Sequence, residues 1–237
     1  MKISECKGDW ALVTGASSGI GAEFCRQLAA AGMNIVMVAR RKKLLDDLSS
    51  ELKQEYKIKT MVIIIDLSLT NSADQVKLSL ITEGIKIRLL INNAGFGPWG
   101  SFEKTSIDTY QNMIQLISMT PISLCHLFLE DLASFTNSAI INVSSPSALQ
   151  PVPYLAVYSA AKACLHQYSL ALYGEWQEKN IHVQTLLPGP TATEFDTKAC
   201  AYTSKLGSDR ISPSIVVKTS LQQLAKNTPM VTTNKGN

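Results

Sequence analysis

Short apolar runs alternate along this chain with longer segments in which apolar residues recur at helical spacing. Six runs predict strands: Trp10–Thr14, Asn34–Ala39, Met61–Ile65, Arg88–Ile91, Ala139–Val143 and His182–Leu187. Four segments predict helices: Ala22–Ala31, Lys42 to about Glu55, Ile107 to about Leu132, and Tyr158–Gln177. The run Met61–Ile65 is continuous rather than alternating, which is typical of a strand covered on both faces.

This order of elements predicts an α/β fold with a parallel sheet. Strands that alternate with helices join through right-handed crossovers, which place helices on both faces of the sheet. Such a fold binds ligands at the carboxyl ends of its strands. No linker rich in Pro, Gly or Ser and no internal repeat divides the chain, so we expect a single domain over residues 1–237.

Charge and cysteine content argue against several classes of protein. The formal net charge of +3 is small, and the basic residues cluster only at Arg40–Lys43 and Lys53–Lys59, so no nucleic-acid partner is expected. The five cysteines form no Cys-x-x-Cys pair and no group with the three histidines, so neither a metal site nor a disulfide framework is expected. Charged Glu5, Lys7 and Asp9 replace the apolar core of a signal peptide, and no apolar run reaches about 18 residues. We therefore expect a cytoplasmic protein without a membrane span.

A glycine-rich turn, TGASSGIG from Thr14 to Gly21, joins the first predicted strand to the first predicted helix. In that position a glycine turn indicates a phosphate site, because the helix N-terminus presents free N–H groups and a positive dipole end. Gly15 allows unusual backbone angles, Gly19 allows close approach to a pyrophosphate, and Gly21 allows tight helix packing. The spacing differs from both Gly-x-Gly-x-x-Gly and the P-loop with its lysine. The alternative is a glycine-rich turn that binds nothing.

Tyr158 and Lys162 lie four residues apart within a predicted helix, so both side chains face the same side. A nearby cation lowers the pKa of a phenol from its usual value of about 10, which makes the pair a candidate for proton transfer. Ser145, thirteen residues before the tyrosine, follows the apolar run Ala139–Val143. Taken alone, the pair is more readily explained as a structural feature of an amphipathic helix.

The glycine turn, the segment Asn92-Asn93-Ala94-Gly95, Ser145, Tyr158-x-x-x-Lys162 and Pro188-Gly189 occur in an order that resembles the short-chain dehydrogenase/reductase superfamily. The resemblance covers about residues 9 to 192. It implies a nicotinamide-dependent oxidoreductase with a doubly wound, seven-stranded Rossmann sheet. Tyr158 would be the general acid or base, Lys162 would lower its pKa and hold the nicotinamide ribose, and Ser145 would donate to the substrate oxygen.

The resemblance also implies a set of cofactor contacts. Asp66 would accept a hydrogen bond from the adenine amine, although it could also cap the next helix. Asn93 would be the strand-end asparagine, with Ala94 and Gly95 passing close to the adenosine ribose. The full set of expected cofactor residues is Gly15, Ser17, Ser18, Gly19, Ile20, Gly21, Arg40, Asp66, Leu67, Asn93, Ala94, Gly95, Tyr158, Lys162, Pro188, Gly189 and Thr191.

The charge at the end of the second predicted strand favours NADP(H) over NAD(H). Relatives that prefer NAD place an acidic residue there, whereas Val38-Ala39-Arg40-Arg41 offers cations that suit a 2′-phosphate. Lys42 and Lys43 add positive potential. The alternative is a solvated basic start to the second helix.

Two features depart from the family pattern. Relatives carry an asparagine in the fourth helix that supports a water chain from the lysine, and alignment without gaps places Ile117 there, next to Ser118. The second departure is a short C-terminal region, with a substrate lid expected over Thr191–Ser212, a helix from Pro213 to Lys226 and a strand over Thr228–Thr233. We therefore expect a more open pocket and a weaker oligomer, with a homodimer or a homotetramer possible.

The substrate pocket is expected to be apolar. Its candidate lining residues are Phe96, Pro98, Trp99, Pro146, Leu149, Tyr154 and Phe195. This composition favours a small-molecule apolar carbonyl or secondary alcohol as the substrate. Two other functions stay open: a cofactor-binding regulatory or scaffold protein with weak or no turnover, which Ile117 suggests, and a lyase or epimerase on the same fold, for which the chain is short.

Overall fold

Seven strands form one parallel sheet at the centre of the molecule. The computed structural model describes residues 1–195 and 210–233. The strands are β1 Trp10–Thr14, β2 Asn34–Ala39, β3 Thr60–Ile64, β4 Ile87–Asn92, β5 Ser138–Val143, β6 Ile181–Pro188 and β7 Met230–Thr233. They lie in the order β3-β2-β1-β4-β5-β6-β7, and every neighbouring pair is parallel. The expected doubly wound α/β fold is confirmed.

Helices cover both faces of this sheet. They are α1 Gly19–Ala30, α2 Lys42–Tyr56, α3 Ser72–Thr82, α4 Ile107–Ile114, α5 Thr120–Leu127, α6 Leu129–Ala133, α7 Ala156–Glu175 and α8 Pro213–Leu224. Apolar residues of α1, α2 and α8 form one core layer, and those of α3, α5, α6 and α7 form the other. Successive strand residues point to opposite faces, so Val13 enters the first layer and Leu12 the second. This two-sided burial explains why the inner strands are continuously apolar. The expectation that the run Met61–Ile65 is covered on both faces is wrong, because β3 lies at the edge of the sheet and leaves Ile64 49% exposed.

One predicted helix is wrong in its extent. The segment from Ile107 to Leu132 is not a single helix, because a π-helical turn, Gln115–Met119, separates α4 from α5, and a further break at Phe128 separates α5 from α6. Pro121 lies in the first turn of α5 and has no N–H, so the carbonyl of Ile117 lacks its usual donor four residues later. The ladder is therefore rearranged at the position where the sequence departs from the family pattern.

The sequence pattern did not define α3. Val76 and Leu80 of this helix are buried, while Leu78 and Ile81 are exposed, so its apolar residues do not form a single stripe. At the C-terminus, α8 and β7 confirm the expected helix and strand with shorter bounds. Residues 196–209 of the expected lid lie outside the described part of the chain. Within the described part, no helix has the length and apolar character needed to cross a membrane.

Candidate active site

The predicted site residues meet at the carboxyl edge of the sheet. The strand order reverses between β1 and β4, so the glycine turn after β1 and the Asn93 segment after β4 lie side by side. Such a reversal leaves a crevice in which open α/β sheets bind ligands. Ser145 follows β5 and Gly189 follows β6 on the same edge.

Gly15 allows the turn after β1 to pack against the segment after β4. Its φ is +65°, and a Cβ at this position would lie 2.8 Å from Asn93 Nδ2. Asn93 Nδ2 donates to the carbonyl oxygens of Thr14, at 2.9 Å, and Gly15, at 3.3 Å. Thr14 Oγ1 accepts from the backbone N–H groups of Asn93 and Ala94. Asn93 therefore holds the turn in shape, and Thr14, which the sequence interpretation did not assign a role, is its counterpart on β1.

Arg41 lies across the start of α1. Its guanidinium donates to Ser17 Oγ, at 2.9 and 3.1 Å, and to Ser18 Oγ, at 2.6 Å. The remaining terminal nitrogen is 2.7 Å from a carboxylate oxygen of Glu194. The arginine is thereby fixed beside the N–H groups that open α1, which are the expected phosphate ligands.

A polar cavity of about 470 Å³ adjoins this helix terminus. Ser18, Gly19, Thr193 and Glu194 line it, together with residues at the start of α8. The hydroxyls of Ser17 and Ser18 and the fixed cation of Arg41 beside the glycine turn fit the phosphate groups of a dinucleotide. The cavity itself is also lined by the carboxylates of Glu23 and Glu194, so it carries charges of both signs.

Arg40 points toward Asp66 rather than toward the glycine turn. Its terminal nitrogen is 3.3 Å from Asp66 Oδ2, and its side chain is 68% exposed. Burial alone would raise the pKa of Asp66, but hydrogen bonds from Ser68 and the nearby Arg40 charge lower it below the ordinary value. The alternative role of Asp66 as a helix cap is wrong, because α3 begins at Ser72 with Asn71 as its cap residue.

Leu67 is buried directly behind Asp66. Its carbonyl accepts hydrogen bonds from Thr120 Oγ1, at 2.7 Å, and from Ser72 Oγ, at 3.3 Å. These contacts fix the loop after β3 against α3 and α5. The expected cofactor contacts of Asp66 and Leu67 thus have a rigid support.

Tyr158 and Lys162 are both buried on α7. Lys162 Nζ donates to the carbonyl oxygen of Val143, at 2.6 Å, and lies 5.7 Å from the centre of the Tyr158 ring. Burial lowers the pKa of Lys162 to about 7, because it disfavours the charged form. The lysine is therefore a titratable group near neutral pH, and its proton affinity depends on the charges close to it.

Ser145 lies at the start of a short 3-10 helix, Pro146–Ala148, that packs against α7. The neighbouring Ser144 Oγ donates to the carbonyl oxygen of Lys162, at 2.9 Å, which joins the end of β5 to the turn of α7 that carries the lysine. Ser145, Tyr158 and Lys162 therefore share one corner of the crevice.

The end of β6 forms another side of the crevice. Gly189 N donates to the carbonyl oxygen of Thr233, at 3.0 Å, and Thr191 Oγ1 donates to the carbonyl oxygen of Gly189, at 2.7 Å. Thr191 also forms a parallel bridge with Ile211. The Pro188-Gly189 turn and Thr191 are thus held at the mouth of the crevice.

Ile117 is fully buried in the cluster that surrounds Tyr158. A Cβ placed on Gly95 would lie 3.6 Å from both Ile117 Cγ1 and Lys162 Nζ, so the isoleucine and the lysine approach the same backbone position. Ser118 Oγ donates to the carbonyl oxygen of Ala161, at 3.1 Å. An apolar side chain thus occupies the position at which the family resemblance led us to expect an asparagine.

The predicted pocket residues divide into three groups. Pro98 and Tyr154 line a small cavity of about 30 Å³ against Tyr158, which Tyr110, Met113 and Leu155 also line. Phe96 and Phe195 pack on the Tyr158 cluster, with the Phe195 ring centre 5.7 Å from that of Tyr158. Leu149 is exposed, while Trp99 and Pro146 are partly buried.

Comparison with known proteins identifies the class of this site. The model of the short chain dehydrogenase family matches residues 9–202, and the chain therefore belongs to that family. The protein is an oxidoreductase, and a nicotinamide dinucleotide is the cofactor of this class.

Three similar proteins illustrate the match. The very-long-chain 3-oxoacyl-CoA reductase of Homo sapiens is 33% identical over 219 residues, which cover 91% of this chain and 68% of that protein. A short-chain dehydrogenase from Sphingobium yanoikuyae in complex with NADPH has a TM-score of 0.89 at 27% identity, over 97% of this chain and 89% of that one. The bulky-bulky ketone specific alcohol dehydrogenase of Comamonas testosteroni has a TM-score of 0.85 at 29% identity, over 97% and 87% of the two chains.

Proposed function

We propose that this protein is an NADP(H)-dependent reductase or dehydrogenase that interconverts an apolar carbonyl compound and its secondary alcohol. The observation that carries this proposal is the buried corner in which Tyr158 and Lys162 of α7 meet the end of β5. A phenol, an ammonium group and a serine hydroxyl at one point can protonate a carbonyl oxygen and stabilise its developing charge.

Tyr158 acts as the general acid in reduction and as the base in oxidation. When bound, the nicotinamide supplies or accepts the hydride. Lys162 in its charged form would lower the pKa of the phenol and donate to the nicotinamide ribose, whereas burial favours its neutral form. Ser145 donates a hydrogen bond to the same substrate oxygen.

The cofactor preference follows from the two arginines after β2. Arg41 is fixed on the hydroxyls of Ser17 and Ser18, where a 2′-phosphate would replace Glu194 as its anionic partner. Arg40 pairs with Asp66, the residue expected to contact the adenine. The NADPH complex of the Sphingobium yanoikuyae relative supports the same choice.

An apolar substrate is favoured by the surroundings of Tyr158. The apolar residues Phe96, Leu155 and Phe195 pack around Tyr158. The cavity against its ring, which has room for about one water molecule, has no charged side chain among its lining residues. The names of two similar proteins point to bulky ketones and to 3-oxoacyl thioesters. We expect apolar ketones and 3-oxoacyl thioesters to be reduced more efficiently than short polar carbonyl compounds.

The test replaces Tyr158 with Phe. Because the proton donor is lost, we expect kcat for NADPH-dependent carbonyl reduction to fall by about a hundredfold or more. NADPH binding, measured by fluorescence, should be unchanged. Tyr173→Phe is the matched control, because Tyr173 also lies on α7 but its hydroxyl reaches Asn227 at the surface. Turnover retained in Tyr158→Phe would show that another group is the acid.

Ile117 supports a second candidate function, a cofactor-binding protein with weak or no turnover. Its buried side chain lies where a polar group would support the onward path of the proton from Lys162. A panel of aldehydes and ketones separates the two functions. NADPH binding without consumption of NADPH on any member of the panel would favour the second.

A further inference from the structure

The hydroxyl of Ser147 lies against the hydroxyl of Ser145. Ser147 Oγ donates to Ser145 Oγ, at 2.9 Å, and the backbone N–H of Ser147 donates to the same oxygen, at 3.2 Å. Ser145 therefore accepts two hydrogen bonds from a single residue. Neither the motif order nor the spacing of apolar residues in the sequence indicates this arrangement.

The local sequence explains the geometry. A residue before proline is restricted to extended angles, and Ser145, which precedes Pro146, has φ −163° and ψ 154°. Pro146 then opens the 3-10 turn Pro146–Ala148, for which Ser145 is the cap residue. This turn brings both donors of Ser147 back onto Ser145 Oγ. The backbone N–H of Ser147 makes the capping hydrogen bond, so the hydrogen bond from the Ser147 hydroxyl is additional to the cap.

Two accepted hydrogen bonds determine how Ser145 can act. A serine hydroxyl has one proton and two lone pairs, and here donors occupy both lone pairs. The proton is left with one direction, away from Ser147. Accepting hydrogen bonds also polarises the hydroxyl and strengthens it as a donor. Ser145 is thus prepared to donate rather than to accept.

The same segment is tied to the helix that carries the acid. Ser144 Oγ donates to the carbonyl oxygen of Lys162, at 2.9 Å, and Lys162 Nζ donates to the carbonyl oxygen of Val143, at 2.6 Å. The backbone of residues 143–145 therefore has a fixed position relative to α7. A hydroxyl whose rotation is also fixed completes the geometry needed at one substrate oxygen.

We propose that Ser147 is a positioning residue that holds the Ser145 hydroxyl as a hydrogen-bond donor to the substrate oxygen. This role rests on the proposed carbonyl reduction. Ser147 does not touch the reacting atoms, and it acts only through Ser145. Its effect must therefore depend on the presence of the Ser145 hydroxyl.

The test compares Ser147→Ala with Ser147→Thr. Ser147→Ala keeps the backbone N–H and the cap but removes the side-chain donor, so we expect kcat to fall about fivefold to tenfold, the size of one net hydrogen bond. The KM for NADPH and the Tm should stay at the wild-type values. Ser147→Thr retains a hydroxyl and should restore kcat. Ser134→Ala is the matched control, because Ser134 Oγ also makes a local bond, to the carbonyl oxygen of Asp131, but precedes β5, whereas the site lies at the carboxyl end of that strand.

A double-mutant cycle with Ser145→Ala gives the decisive readout. The Ser147→Ala change should cost nothing further in the Ser145→Ala background. Losses that multiply independently, or a kcat for Ser147→Ala equal to that of wild type, would overturn the positioning role.

A wild-type chain that reduces no carbonyl would contradict the proposed function instead. In that case crystal structures of wild type and Ser147→Ala decide the inference. Displacement of Ser145 Oγ in the variant supports it, and an unchanged rotamer overturns it.

Discussion

Arg40 and Arg41 are adjacent residues of the same type, yet they face different parts of the crevice. Arg41 is held on Ser17 and Ser18 and is only 36% exposed, whereas Arg40 is 68% exposed and pairs with Asp66. A cation that is already fixed loses less side-chain entropy when an anion binds. At the scale of single residues, Arg41 is therefore the stronger candidate for the 2′-phosphate.

Arg41→Ala should weaken the binding of NADPH and leave the binding of NADH nearly unaffected. A charge-assisted hydrogen bond is worth about 1.5–3 kcal/mol, so we expect the KM for NADPH to rise by about tenfold to a hundredfold. Arg40→Ala should have a smaller effect. Steady-state kinetics with both cofactors measure the difference.

Two results would contradict this assignment. Equal catalytic efficiency of the wild-type protein with NADH and NADPH would show that the arginines do not select the cofactor. Equal losses for both cofactors in Arg41→Ala would show that Arg41 only supports the glycine turn. Glu194→Gln removes the carboxylate that now occupies Arg41, so it should lower the KM for NADPH.

At the scale of elements, the π-helical turn Gln115–Met119 is the unusual feature. It places Ile117 and Ser118 in the buried cluster beside Tyr158 and Lys162, and Pro121 removes a backbone donor from the carbonyl of Ile117. The apolar side chain of Ile117 and the rearranged backbone hydrogen bonds thus occur at the same residue.

Ile117→Asn tests whether this element limits turnover. A polar side chain there could hold water near Lys162, so we expect kcat to rise severalfold. Burying the amide should also lower the free energy of unfolding by about 1–3 kcal/mol if its groups stay unpaired. Ile117→Val is the control, because it makes space without adding polarity. An unchanged kcat in folded Ile117→Asn would place the slow step elsewhere.

At the scale of the whole molecule, burial of Lys162 places in the core a side chain whose charge depends on pH. The pKa of this lysine falls from 10.5 to about 7 on folding, because burial disfavours its charged form. Between these two values the unfolded chain binds more protons than the folded one, so the free energy of unfolding rises with pH across this window. The site therefore reduces the stability of the unliganded protein at neutral pH.

Lys162→Met should raise the free energy of unfolding near pH 7 by on the order of a few kcal/mol, at about 1.4 kcal/mol per pKa unit. The gain should disappear toward pH 10.5, where the unfolded lysine also loses its proton. Urea denaturation at both ends of this window measures it. Lys179→Met, on an exposed lysine, should show no such trend. A gain that is independent of pH would mean that apolar packing, not charge, is responsible.

The parallel sheet, most helices and the family could be read from the sequence because each depends on local patterns. Continuous apolar runs specify strands, although the edge position of β3 shows that they do not specify cover on both faces. The glycine turn, Ser145 and Tyr158-x-x-x-Lys162 occur in a fixed order. Helix α3 was missed because its apolar residues do not form one stripe. Two statements stay predictions: that the chain forms a single domain, and that it assembles into a dimer or tetramer.

The sequence by itself determined which residue types stand at the ends of the strands, and therefore the class of chemistry. Only the tertiary structure decided that Arg41 rather than Arg40 lies on the glycine turn, that Thr14 and Asn93 hold that turn, and that Ser147 restrains Ser145. The physical reason is the distance along the chain between the residues that interact. Periodicity and motif order record neighbours along the chain, whereas these contacts depend on how strand ends and loops approach one another across the sheet.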